Sequence, residues 1–295
     1  MLAAERRRVM KIIDAHMHFS NITSFKETAS NLSKLDYSSV GLLQEYRDAN
    51  VVLGIAMGLT ETKTEGFPDY EAATPMGLDL EEQLPANICY CPGINPYRLG
   101  ERELAALEAL LKKPEVVGIK IYLGYYPFYA YDEVYSPVYD LAIKYRLPVV
   151  FHTGDTYSER GLLKYAHPLT LDEVAVKYRN INFMMAHFGD PWVLDGAEVL
   201  YKNRNMYADL SGLLVGNKDV LKEKLASPFF FNHLKHALAF TDDYSKFLFG
   251  TDWPLVPVQP YIELLKELIP REAHEDLFFN NAVKLFPKIK PFILF

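Results

Sequence analysis

Short, nearly unbroken apolar runs alternate along the chain with longer stretches in which apolar residues recur every three or four positions. Eight runs read as strands: 11–18 (KIIDAHMH), 51–59 (VVLGIAMGL), 87–94 (NICYCPGI), 116–123 (VVGIKIYL), 147–153 (LPVVFHT), 181–187 (INFMMAH), 205–211 (NMYADLS) and 246–252 (KFLFGTD). Runs without strict apolar–polar alternation are expected of strands covered on both faces, as in a parallel sheet. Their starts lie 24 to 41 residues apart, the length of a strand–helix unit. Helices fit the gaps at 39–50, 101–113, 134–146, 171–178, 192–202, 220–225 and 261–268, and 272–286 reads as a last helix outside the repeat. The run ERELAALEALLKK, stopped by Pro114, is the strongest of them.

Eight such units in one chain predict an α/β fold, a single-domain (β/α)8 TIM barrel; a doubly wound open sheet is the alternative. No internal repeat, low-complexity segment or linker divides the chain. The barrel is expected over 10–295, with 1–9 as an N-terminal arm.

Composition narrows the class of partner. With 295 residues, 49% of them hydrophobic, the chain can bury a large core. A net charge of -7 argues against nucleic acid. No apolar run suits a membrane span, and Arg6-Arg7-Arg8 is not followed by the apolar segment of a secretory signal. The two cysteines, Cys89 and Cys91, fall on one strand face, too close in sequence for an easy disulfide, and read as small buried hydrophobes rather than a metal site. So few thiols suit a reducing, cytoplasmic setting.

A barrel places its chemistry where strands end at their C-terminal side. Here the runs end in His16 and His18, Lys120, His152, His187 and Asp252. Residues two apart on a strand share a face, so His16 and His18 project together, with Asp14 expected on that face one step deeper. Two imidazoles so placed can hold a divalent cation; alone, they could equally be satisfied polar residues at a strand end. Long segments at 19–37 and 60–80, and the aromatic run from Tyr122 to Tyr131, are expected to wall a pocket, although such rings also pack on each other or on a subunit partner.

Asp14-Ala15-His16-Met17-His18, Gly118-Ile119-Lys120, Leu147 to Gly154 (LPVVFHTG), Ala186-His187-Phe188-Gly189, Asn205 to Ser211 (NMYADLS), Gly250-Thr251-Asp252-Trp253-Pro254 and Asn281 to Phe286 (NAVKLF) occur in this order. Together they resemble the TIM-barrel metal-dependent hydrolases of the amidohydrolase superfamily, in the amidohydrolase-2 branch, over residues 10 to 287. The resemblance implies one divalent metal ion, zinc foremost and manganese as alternative, held by His16, His18, His152 and Asp252. It makes Asp252 the proton-handling carboxylate and places His187 beside the reacting water. A metal-activated water with a pKa near about 7 would attack a carbonyl, with the ion and His187 stabilising the oxyanion.

Lys120, Tyr122 and Trp253 are expected to face substrate. For Lys120 a bridging carbamate or a structural ion pair are the other readings. Asp14 and Asp209 are expected to be structural partners, Asp155 and Asp190 to orient histidines, bind substrate or cap helices, and His233 and His236 to lie on a packed surface helix. The expected function is hydrolysis of a small-molecule amide, ester or lactone; the alternative is metal-dependent decarboxylation of an aromatic or unsaturated acid, and a third class is a non-catalytic binding barrel. The partner is a small molecule, with neither nucleic acid nor membrane, and the aromatic run and Phe229–Phe231 hint at a homo-oligomer.

Overall fold

A computed structural model of the chain describes residues 10–63, 66–81 and 83–293. The arm read at 1–9 lies outside them. The apolar runs form parallel strands β1 (Ile12–Met17), β2 (Val51–Met57), β3 (Ile88–Cys91), β4 (Gly93–Ile94), β5 (Ile119–Ile121), β6 (Val149–Phe151), β7 (Phe183–Met185), β8 (Met206–Asp209) and β9 (Phe247–Leu248). β3 and β4 are one expected run divided at Pro92, which has no N–H to give to a ladder but whose carbonyl accepts from Lys120 N at 2.9 Å.

Strands pair in the orders β1-β2-β3 and β4-β5-β6-β7-β8-β9. Beyond β9, the main chain returns to β1: Ala15 N donates to Phe249 O at 2.9 Å, Asp252 N to His16 O at 2.8 Å and His18 N to Trp253 O at 2.9 Å. The ring is closed, and the fold is a TIM barrel with helices outside.

Helices occupy the predicted gaps, among them Ser39–Ala49, Glu101–Leu111, Ser136–Tyr145, Val193–Lys202 and Val258–Leu268. Their apolar faces, with Leu42, Tyr46, Leu107, Val138, Leu200 and Leu265, pack on the outside of the strands. A second core fills the lumen with Ile13, Leu53, Cys89, Cys91, Val150, Met184 and Leu248. Both cysteines are free and buried there. The tail is a broken series of turns rather than one helix, with α-helix only at Asn281–Leu285, and its Ala282, Leu285, Phe286, Ile289 and Ile293 join the lumen core as a stopper at the N-terminal end of the strands. Residues 19–37 contain a short helix, Thr23–Thr28, that runs into a π turn at Ala29–Ser33. Among the described residues no helix is long and apolar enough to cross a membrane.

β1 departs from simple alternation. Asp14 pairs with Gly54 and Met17 with Ala56, so β1 carries one residue more than β2 between those points. Such a bulge re-aims the side chains beyond it. Ile13 and Ala15 point into the lumen core, whereas Asp14 points out, where the Tyr46 hydroxyl of the first outer helix donates to its Oδ2 at 3.1 Å. The expectation that Asp14 shares a face with His16 is therefore corrected: the extra residue turns His16 and His18 inward and leaves Asp14 behind.

Candidate active site

The strand ends converge on one pocket at the C-terminal mouth of the barrel. It is lined by His16, His18, Lys120, Tyr122, His152, His187 and Asp252, with Ile22, Phe25, Phe67, Tyr125, Tyr157 and Leu255 around them, and encloses about 530 Å³ including its open mouth.

Hydrogen bonds fix which ring nitrogens carry hydrogen. His16 Nδ1 lies 2.8 Å from Asp209 Oδ2. A carboxylate only accepts, so Nδ1 holds the hydrogen and Nε2 is a lone pair. Burial lowers the His16 pKa to about 4, so the ring is neutral at pH 7. His18 Nδ1 faces the Met57 carbonyl at 3.3 Å and so holds a hydrogen, which turns Nε2 toward the same point as His16 Nε2. These two nitrogens lie 3.5 Å and 3.0 Å from Asp252 Oδ1. Neither His16 Nε2 nor Asp252 Oδ1 has a hydrogen-bond partner, although both are buried. Asp252 is held well below the usual carboxylate range by the histidines around it, against the opposing effect of its own burial. One atom each of His16, His18 and Asp252 thus meet within 4.8 Å of one another, all three buried, an arrangement that fits a divalent cation.

His152 is in the pocket but outside that trio. Its Nε2 lies 2.9 Å from the Asp155 carbonyl, so that nitrogen carries hydrogen, and burial, with the His187 ring beside it, pushes its pKa well below the ordinary value. His187 is set by strand β8: its backbone N donates to Asp209 Oδ1 at 2.9 Å, and its Nδ1 faces the Ser211 carbonyl at 3.1 Å and the Ser211 hydroxyl at 2.9 Å. His187 and Asp252 sit at φ 61° and 55°, in the left-handed region that non-glycine residues seldom occupy and that clusters at functional sites. Gly212, at φ 64°, backs them closely; a Cβ there would lie 2.5 Å from His187 Nδ1 and 3.0 Å from Asp252 Oδ2.

Lys120 is fully buried and its Nζ has no hydrogen-bond partner. Burial lowers its pKa to about 8, with Asp209 and Asp252 acting the other way, so it stays mostly cationic at neutral pH. Tyr122 presents its ring, with Lys120 Nζ 5.3 Å from the centroid, while its hydroxyl donates to the Gly58 carbonyl at 2.8 Å.

Trp253 does not face the pocket. It is fully buried on the outer side, its ring 5.1 Å from that of Tyr37 and its indole nitrogen 3.4 Å from Glu45 Oε1. Asp252 turns inward and its neighbour is directed outward, which corrects the expectation of a substrate contact. Of the other polar residues, Asp190 pairs with His233 at 2.8 Å, and no metal-holding group among the described residues includes either helix histidine.

Residues 19–37, 60–80 and 122–131 contribute walls through Phe25, Phe67, Tyr122 and Tyr125, while Tyr126 is buried with its hydroxyl on the Asp69 carbonyl. Tyr157, from the segment after β6, also lines the pocket without having been singled out; that short polar stretch carries no apolar pattern. Its hydroxyl lies 2.6 Å from Thr28 Oγ1, and its backbone N donates to the Tyr125 hydroxyl at 2.8 Å.

A closed barrel with imidazoles and a carboxylate at its C-terminal mouth defines a TIM-barrel protein with a candidate metal site. The chain belongs to the amidohydrolase family, whose Amidohydro_2 model matches residues 13–288. No curated protein sequence matches it. Among similar solved structures are an uncharacterised TIM-barrel protein of Bordetella bronchiseptica (17% identity, TM-score 0.66, covering 95% of this chain and 99% of that one) and a probable 2-pyrone-4,6-dicarboxylic acid hydrolase of Acinetobacter baumannii with citric acid bound (17%, 0.63, 94% and 100%). A third is a 5-carboxyvanillate decarboxylase of Novosphingobium aromaticivorans complexed with manganese and 4-hydroxy-3-methoxy-5-nitrobenzoic acid (12%, 0.64, 94% and 96%). At these identities the likeness concerns the fold.

Proposed function

We propose that the chain is a divalent-metal-dependent hydrolase of small molecules that carry an amide, ester or lactone bond and one anionic group. The observation that carries this reading is the meeting of His16, His18 and Asp252 at one buried point, with His16 Nε2 and Asp252 Oδ1 left without a hydrogen-bond partner. Two imidazoles and a carboxylate suit zinc first, with manganese the alternative. His152 is the fourth proposed ligand, and it joins only by giving up the Asp155 carbonyl or by presenting Nδ1. When bound, the ion would supply Lewis acidity for water and carbonyl alike.

The chain's own groups do the rest. Asp252 Oδ2 stays outside the trio and, held ionised, accepts a proton from water and passes it to the leaving group. His187, whose Nδ1 is turned to the Ser211 carbonyl, offers Nε2 as a second proton carrier at the pocket. Lys120, the one lysine or arginine among the described lining residues, anchors the anion, and Phe25, Phe67 and Tyr122 exclude water around an apolar or aromatic body.

One observation favours decarboxylation as a second reading. A buried, unpartnered ammonium in an apolar slot would hold a carboxylate stripped of water within reach of the same site. Elemental analysis of chain purified without chelator tests the shared premise: about one ion per chain, lost in H16A/H18A, is expected, and none even after reconstitution would sink both readings. Substrate screens then follow acid release in a pH-stat beside CO2 evolution. Activity confined to CO2 would overturn hydrolysis. Asp252→Asn is expected to lower kcat by about 10³-fold or more.

A further inference from the structure

Asp209 ends β8 fully buried and outside the pocket lining, yet it takes four hydrogen bonds. Its Oδ2 faces His16 Nδ1 at 2.8 Å. Its Oδ1 accepts from His187 N at 2.9 Å, Ser211 N at 3.1 Å and Ser211 Oγ at 2.5 Å. So many donors keep the carboxylate ionised and fix both oxygens in place.

We propose that Asp209 is a positioning residue that sets the tautomer of His16, holding hydrogen on Nδ1 so that Nε2 is presented bare to the ion proposed above. The inference rests on that reading for its consequence but not for its test. An imidazole carries one hydrogen when neutral, and whichever nitrogen has it cannot ligate. For His18 the tautomer is dictated by a main-chain carbonyl, Met57 O at 3.3 Å, which no side-chain substitution changes. His187 is held in the same way by the Ser211 carbonyl at 3.1 Å. Of these three only His16 has a carboxylate side chain as the partner of Nδ1; His187 Nδ1 also meets the Ser211 hydroxyl at 2.9 Å, but the carbonyl beside it stays whatever that side chain is. His16 is also the most enclosed, since its Nε2 is buried with no partner.

Asp209→Asn makes a directional change. The amide has one accepting oxygen, and the three donors around Oδ1 require it there. The NH₂ then faces His16 Nδ1, which must become the acceptor. The ring's hydrogen moves to Nε2 and points at Asp252 Oδ1, 3.5 Å away, where the ion would sit.

The test is ¹⁵N NMR of imidazole-labelled, chelator-stripped chain at neutral pH, beside competition titration with Zn²⁺. In the wild type His16 is expected with protonated Nδ1 and bare Nε2. In D209N the assignment reverses for His16 only, His18 and His187 keep theirs, and Zn²⁺ affinity falls by about 100-fold. Ser211→Ala, which removes one donor but leaves the Asp209–His16 contact, keeps the wild-type tautomer. A folded D209N with an unchanged His16 tautomer and unchanged affinity overturns the proposal. Should D209N not fold, the wild-type spectrum decides, because hydrogen on His16 Nε2 would itself overturn it. A wild type that binds no Zn²⁺ removes the metal reading, and the tautomer measurement still judges Asp209 by itself.

Discussion

Two buried carboxylates flank His16, and their surroundings act on them in opposite senses. Asp209 is held well below the usual range by the imidazoles of His16 and His187 and the Ser211 hydroxyl, which together outweigh its burial. Asp14 is raised from 3.8 to about 7 because burial outweighs donors from Thr251, the His16 backbone and Tyr46. The folded chain thus keeps the Asp14 proton to higher pH than the unfolded chain does. Stability from this group is full below the unfolded value and is lost as pH rises toward the folded one. Urea unfolding in chelator between pH 4 and 7 should show stability falling by up to about 1.4 kcal/mol per pH unit from this source; Asp14→Asn should lack that component. Gly212 makes a second residue-scale case. Gly212→Ala would force His187 or Asp252 aside and strain a left-handed backbone, so kcat is expected to fall about 100-fold or more while circular dichroism shows the fold retained.

At the scale of elements, the site was largely legible because barrel strands advertise themselves as apolar runs and their last residues are where chemistry sits. His16, His18, Lys120, His152, His187, Asp252 and the ring of Tyr122 all reach the pocket. What was not legible depends on a single step of backbone. Nothing in Ile12-Ile13-Asp14-Ala15-His16-Met17 marks the extra residue in β1, because a bulge is set by the register with the neighbouring strand. The direction of Trp253 likewise follows from the left-handed turn at Asp252, and the commitment of His152 Nε2 follows from a carbonyl three residues away. The role of Tyr157 belongs here too, since it ties the segment after β6 to the short helix Thr23–Thr28. Tyr157→Phe removes that tie. Limited proteolysis should then cut within 19–37 faster than in the wild type; equal rates would mean that the tie does not hold the segment down.

For the molecule as a whole, periodicity counted eight strand–helix units and placed the last helical stretch outside the repeat, but not where that stretch goes. An apolar face shows that something is covered without showing what. The structure sends Leu285, Phe286, Ile289 and Ile293 to the lumen core, and Phe286 lies close beside Gly118 at the entrance to β5. Phe286→Ala should cost about 3–5 kcal/mol, read as a lower urea midpoint with an unchanged slope.

That stopper also governs traffic. With one end of the barrel filled by side chains and the other holding the pocket, the site is a blind alley. Two clefts open on the pocket's end beside the same His152, His187 and Asp252, one past Phe25, Phe67 and Tyr157 and one along Asp155, Asp190 and Gly212, so whatever enters also leaves by the C-terminal mouth. On the proposed hydrolysis, two products would share that end of the barrel, and the one held on the buried Lys120 would leave last. On that same reading an acidic product would be the natural competitor, holding the place that the next substrate needs.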